Sequence, residues 1–194
     1  RAGAGPTLLA LHALGGASDD FAALAKHWPG RVLALWPTAV SAIGERAIAD
    51  LKGRDGRDHG RIELIETTAG VLLRLKLKAL PPGPHAIHVY EFGKCEGDFK
   101  SAGGIYNPLG AKHGYLNDEG PMAGDLPNIH ANNAGEVEAE IFTPFVTLAR
   151  DGQESLADAD GAAIIVKEKA DDHRTDPAGG SGARIACGAV VPTK

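Results

Sequence analysis

The side chains best able to do chemistry in this chain are two cysteines, Cys95 and Cys187, eight histidines, and the carboxylates and amines that lie among them. Two thiolates are too few for a four-thiolate structural zinc site. His12, His27 and His59 have no partners at a spacing that suggests a ligand set, and His173 lies in a polar stretch that reads as solvated. His130 reads as a loop-surface residue. A Gly-x-Ser-x-Gly nucleophile elbow occurs nowhere, so serine hydrolysis lacks its motif. The net charge of −5 argues against nucleic acid as a partner, because phosphates call for a positive face. No apolar run approaches the roughly 18 residues of a membrane span.

The elements that must position these residues are set by composition and period. Gly 26 and Pro 12 in 194 residues favour many turns, as in an all-β chain. Aromatics are only 5%, so the core must come from Val, Ile, Leu and Ala. The chain changes character near residue 45. Before it, Arg1, Lys26 and Arg31 balance Asp19, Asp20 and Glu45, so the remainder carries the net charge. Residues 7–11 and 31–36 are apolar, and residues 19–28 have helical spacing, with Ser18 as N-cap and Pro29-Gly30 as the stop. Strand, helix, strand is the expectation. The turn His12-Ala13-Leu14-Gly15-Gly16 weakly resembles the start of an α/β-hydrolase. Some forty residues cannot supply such an enzyme's sheet, so residues 1–45 read as an extension to a domain spanning 46–194. Val40-Ser41-Ala42 has the small-residue spacing of a signal-cleavage site, while Asp19, Asp20 and His12 stand in or beside the apolar runs.

From Arg46 onward the period becomes two. Residues 46–51, 61–66, 71–78, 85–92, 136–142, 161–168 and 183–191 read as strands, with Asp55-Gly56 and Pro81-Pro82-Gly83 as breaks. Arg74, Lys76 and Lys78 share one solvent-facing side. Two loops, at residues 93–133 and 169–182, are too long for passive connectors. A Greek-key β-barrel or sandwich is the expected fold.

Residues 46–191 resemble the copper/zinc superoxide dismutase family. The resemblance is carried by Gly93-Lys94-Cys95, Gly103-Gly104-Ile105-Tyr106-Asn107-Pro108, Lys112-His113-Gly114 and Gly124-Asp125-Leu126-Pro127-Asn128. Further on it is carried by Ala159-Asp160-Gly161, Ala170-Asp171-Asp172, Asp176-Pro177-Ala178-Gly179 and Gly182-Ala183-Arg184-Ile185-Ala186-Cys187-Gly188. In that family copper takes four imidazoles, and zinc takes three imidazoles and an aspartate, one imidazole bridging the two metals. Carried over position by position, copper meets His88, then Tyr90, Ile105 and Lys167. Zinc meets Ile105, His113, Met122 and Asp125. Copper therefore keeps one of its four ligands and zinc two of four. The resemblance also places Asp171 as a carboxylate linking His88 to His113, Arg184 as the anion-guiding arginine, His85 as a structural histidine, and Cys95 with Cys187 as a disulfide.

Each replacement has a chemical consequence. Ile105 has no lone pair, so no bridge between metals can form. Met122 is a soft thioether that suits Cu(I). Lys167 is an ammonium at neutral pH unless strongly buried, and Tyr90 ligates only as phenolate. Lys167 would instead act as a fixed positive charge offsetting Asp125 and Asp171. The expectation is a superoxide dismutase-like protein without efficient dismutase activity, serving a structural, assembly or binding role. It would hold no metal or a weak residual zinc. The competing reading is an active dismutase with a remodelled site, and a hydrolase stands third. The expected disulfide and the resemblance imply a periplasmic or extracellular protein, with room for a homodimer or an assembly partner.

Overall fold

The computed structural model describes residues 8–10, 32–34, 44–150, 152 and 154–193. The chain divides into two units, Arg1–Ala39 and Val40–Lys194. In the first unit β1 (Leu8–Ala10) and β2 (Val32–Ala34) pair in parallel. The expected helix, the His12–Gly16 turn and the small-residue triplet at 40–42 lie outside the described residues.

The second unit is all-β. Its elements are β3 (Arg46–Gly53), β4 (Asp58–Thr67), β5 (Gly70–Leu77), β6 (Gly83–His85), β7 (Ile87–Tyr90), β8 (Ile129–Ala131), β9 (Val137–Thr143), β10 (Ala163–Lys167), β11 (Arg184–Ala189) and β12 (Val191–Thr193). Seven strands follow the antiparallel order β7-β10-β11-β3-β4-β5-β9, and β12 adds a second pairing to β3. β6 and β8 form a separate ribbon. The crossovers β5 to β9 and β7 to β10 make the curled sheet a Greek-key barrel, as expected.

Period-two alternation builds this sheet. In β4 and β5, Ile62, Leu64, Val71, Leu73 and Leu75 are buried while Arg61, Glu63, Arg74 and Lys76 are exposed. The basic side expected on β5 is not left bare. Arg74 bonds Glu140 at 2.8 Å, Lys78 meets Asp58 at 2.7 Å, and Lys76 faces Glu138 across the ladder. Opposite charges on facing strands stabilise the pairing modestly where they are solvated.

Two expected strands are split. Residues 85–92 divide at Ala86, whose N–H donates to the Lys169 carbonyl and whose own carbonyl accepts from Lys167 N. The chain thereby leaves the β6–β8 ribbon and enters the barrel as β7. Residues 183–191 divide at Val190, whose N–H turns aside to the Ala162 carbonyl at 2.8 Å.

On β7, β10 and β11 both faces are covered. Ile87, Val89, Ile164, Val166 and Ala186 point into the main core. The opposite face carries His88, Tyr90, Ala163, Ile165, Lys167 and Cys187, all buried. What covers that face is the pair of long loops, and the candidate site lies between them and the barrel wall.

Candidate metal centre

Backbone contacts fix the site before any side chain is considered. His88 bridges Asp125 and Tyr90 bridges Ile105, both antiparallel. Val89 N donates to the Gly124 carbonyl at 2.9 Å, and Tyr106 N to the Val89 carbonyl at 2.9 Å. A Cβ on Gly124 would overlap the Val89 carbonyl oxygen, so only glycine lets the loop lie this close.

Asp171 is the hub. Its Oδ2 accepts from His88 Nε2 at 2.6 Å and its Oδ1 from His113 Nε2 at 3.0 Å. Oδ1 also accepts the His173 amide at 2.6 Å. A methyl on Gly179 would collide with this carboxylate. Asp171 is further tied through its backbone, since Asn128 accepts its N–H and donates to its carbonyl, each at 2.8 Å. The expected brace from His88 through Asp171 to His113 is therefore present as hydrogen bonds. Its residues are buried.

Asp125 holds the other side. Its Oδ2 accepts the amides of Gly114 at 2.7 Å and Met122 at 2.9 Å. Its Oδ1 faces His113 Nδ1 at 2.8 Å, out of line for a hydrogen bond. His113 N donates to Asp176 Oδ1 at 3.0 Å. Three buried atoms thus lack a hydrogen-bond partner at the centre of the site, namely His88 Nδ1, His113 Nδ1 and Asp125 Oδ1. One ligand atom from each of these three residues lies within 4.8 Å of the others.

Charge is unevenly placed. Burial opposes charge on Asp171, yet the hydrogen bonds from His113 and His88 hold its carboxyl far below the usual carboxylate range. Burial likewise opposes a charged His113, but Asp125 and Asp171 outweigh it and push the imidazole up to about 9. His88 goes the other way: its burial outweighs the attraction of Asp171 and lowers its pKa, so the neutral ring donates from Nε2 and keeps a lone pair on Nδ1.

The replaced positions make a different environment. Tyr90 is 1% exposed and Ile105 6%, and they pack with Phe99, Ala102, Ala163, Ile165 and Cys187. Met122 lies against the same cluster. Its side chain is on the apolar side of the site, and only its amide reaches Asp125. The Arg184 guanidinium sits 4.3 Å over the Tyr90 ring and donates to the carbonyls of Phe99 and Gly103 at 2.5 and 2.7 Å. Burial raises the Tyr90 phenol, with Arg184 opposing.

Lys167 corrects one expectation. A register shift after Val166 sets it opposite Arg184 on β11. It is 8% exposed and pairs with neither Asp125 nor Asp171. Burial first and Arg184 second lower its pKa, with Asp171 opposing. The groups in contact with the two carboxylates are instead imidazoles, His113 charged and His88 neutral, and Lys167 forms an ion pair with neither.

Cys95 and Cys187 form the disulfide, Cα atoms 5.7 Å apart. His85 is buried, with Nδ1 2.8 Å from the Lys167 carbonyl and Nε2 2.7 Å from that of Pro81. His130 is exposed. His59, in contrast, is largely buried, its Nδ1 3.1 Å from the Lys78 carbonyl. His173 is not a solvated loop residue. It lies 3.2 Å from Asn128 Nδ2 and its ring packs against Tyr115 with centroids 5.4 Å apart. Sequence reasoning missed Asn128, Tyr115, Asp176 and Gly179 as parts of the site. Asn128, Asp176 and Gly179 stood inside the matching motifs, while Tyr115, whose hydroxyl donates to the Asp125 carbonyl at 2.7 Å, left no signal of its own.

Comparison with known proteins agrees with this architecture. The copper/zinc superoxide dismutase family model matches residues 58–190. The chain is 47% identical over 144 residues to Cu-Zn superoxide dismutase 1 of Aquifex aeolicus, covering 73% of this chain and 85% of the relative. It is 39% identical over 166 residues to the superoxide dismutase-like protein YojM of Bacillus subtilis, covering 84% of each. Among solved structures, a superoxide dismutase-like protein from Bacillus subtilis superposes with a TM-score of 0.71 at 40% identity, covering 73% of this chain and 96% of that one. A double mutant of that protein, in which a tyrosine and a proline become histidines, gives 0.72.

Proposed function

The chain belongs to the copper/zinc superoxide dismutase family, and we propose that it is a member that has lost efficient dismutase activity and serves as a structural, assembly or binding module. The reading is carried by one observation: two of the four copper positions, Tyr90 and Ile105, are buried members of an apolar cluster. An isoleucine offers a metal no lone pair. A phenol raised by burial is further from phenolate than a free one. Lys167 brings an ammonium beside Arg184, which repels a cation. The residues present therefore do not fit copper, and no redox step is assigned to them. The Bacillus relative is itself named superoxide dismutase-like.

Zinc is a different matter. His113 and Asp125 suit a weak residual zinc, which as a d¹⁰ ion would lend structural or Lewis-acid chemistry without redox change. In this reading residues 1–45 are an extension to the barrel domain of 46–194, and Arg184 attracts anions that no copper converts. The disulfide supports a periplasmic or extracellular setting. Any homodimer or assembly partner would engage the barrel from outside. Among the described residues no helix is long and apolar enough to cross a membrane.

The test is superoxide consumption alongside elemental analysis of the purified protein. The expected result is far less than one copper per chain and no consumption above background. One tightly held copper with near-diffusional consumption would overturn the reading. The variant carrying Tyr90→His, Ile105→His, Met122→His and Lys167→His completes both ligand sets, and it should gain copper and activity together.

A further inference from the structure

We infer that the chain holds one divalent cation rather than two, at a single shared site made by His88, His113 and Asp125. The inference rests on the loss of the copper centre proposed above. It goes further in joining a residue from the family's copper set to two from its zinc set.

The geometry points this way for three reasons. First, His88 Nδ1 is buried and makes no hydrogen bond, which is costly unless something else satisfies it, and beside it His113 Nδ1 and Asp125 Oδ1 are buried and meet only each other, 2.8 Å apart and out of line. Second, the three residues bring one ligand atom each within 4.8 Å, close enough for one ion to reach all three. Third, one carboxylate orients both rings. Asp171 takes the Nε2–H of His88 and of His113 on its two oxygens, so both imidazoles turn their Nδ1 atoms away from it and are held relative to one another, 5.5 Å between centroids. A ligating histidine whose other nitrogen donates to a carboxylate is the usual arrangement at a metal.

The donor set selects the ion. Two imidazoles and a carboxylate are a zinc set, with a fourth tetrahedral position left for a solvent molecule. Hard cations that prefer six or more oxygens find only one carboxylate oxygen here. With isoleucine at 105 in place of a bridging imidazole, nothing joins two ions across the site. His88 is then free to serve the ion that His113 and Asp125 already face.

The test measures zinc binding rather than activity, on the full chain stripped with a chelator. Zinc is titrated in competition with a chromophoric chelator, and cobalt(II) serves as a spectroscopic probe. The expected results are one zinc per chain, intense visible cobalt bands of a four-coordinate ion, and shifts of the ¹⁵N signals of both His88 Nδ1 and His113 Nδ1 on zinc addition. His88→Gln keeps a donor for Asp171 but removes the Nδ1 lone pair, and it should weaken zinc binding on the order of 100-fold, as Asp125→Asn should. A denaturant midpoint checks that each variant is folded, and the nitrogen shifts in the parent chain need no variant at all. Two zinc ions per chain, no zinc, an unmoved His88 Nδ1 signal, or a folded His88→Gln within about twofold of the parent would each overturn the inference. Failure of the activity reading would appear separately, as superoxide consumption by the untreated protein.

Discussion

Lys167 and Arg184 stand opposite each other on β10 and β11, two cations brought together by a register shift. Arg184 has acceptors in two carbonyls and a ring to lie over. Lys167 has none of these and is nearly buried, so its charge is a burden on the fold. Lys167→Met should therefore raise stability by about 1 kcal/mol, whereas a change at an exposed lysine stays within about 0.5 kcal/mol. Chemical denaturation decides it, and a lowered midpoint would restore the compensating-charge view. The His113 imidazolium gives a second expectation, for the metal-free protein. Its pKa is raised from 6.5 to about 9, so its stabilising effect is complete below about pH 6.5 and lost as pH climbs through about 9. Asp171 is depressed, so its share is present above the ordinary carboxylate range and lost on acidification. His88, whose pKa is lowered, contributes in the opposite sense, fully above about pH 6.5 and less as pH falls, so thermal midpoints of chelated protein should peak near pH 6.5 and fall on both sides. A profile that stays flat from neutral to alkaline pH would count against the charge assignment.

At the scale of elements, the disulfide ties the loop after β7 to β11, the strand that carries Arg184. Phe99 and Gly103, whose carbonyls hold the guanidinium, belong to that same loop. Closing a separation of 92 residues stabilises by about 4.6 kcal/mol in the chain-entropy picture, as an upper figure. The Cys95→Ala/Cys187→Ala double variant should lose about 2–5 kcal/mol of unfolding free energy, read by denaturation under oxidising conditions. A loss under about 1 kcal/mol would mean that the loop holds its place through its hydrogen bonds alone. The elements also show where sequence reading stops. Period two announced β3, β4, β5 and β9 because one face is wet and the other dry. It could not announce the break at Ala86, because every residue from His85 to Tyr90 is buried and the pattern there carries no contrast. The same uniform burial hides the switch at Val190 less completely, since Val191 onward is exposed.

Across the whole molecule, fold and site were legible to different depths. The family motifs are backbone requirements, such as Gly124 under the Val89 carbonyl, and these survive when ligands change. That is why His88, His113, Asp125 and Asp171 could be placed together from sequence, although they are spread over 84 positions (171 − 88 = 83 steps). What could not be read was partnership. Nothing in the string distinguishes a lysine facing two carboxylates from one facing an arginine, because a single register shift decides it. Nor does it reveal that His173 lies inward, since its placement depends on a left-handed backbone at φ 56° and on Asn128 from another loop.

The Asp171 hub has a consequence for descent. Its bonds run to the Asn128 side chain, the His173 amide and two imidazoles, and none runs to Tyr90, Ile105, Met122 or Lys167. The frame and the variable ligand positions are thus separately inheritable. Exchange of those four side chains therefore breaks none of the hub's own bonds. Metal chemistry in a lineage with this frame is a trait that can lapse and return without the architecture being reinvented.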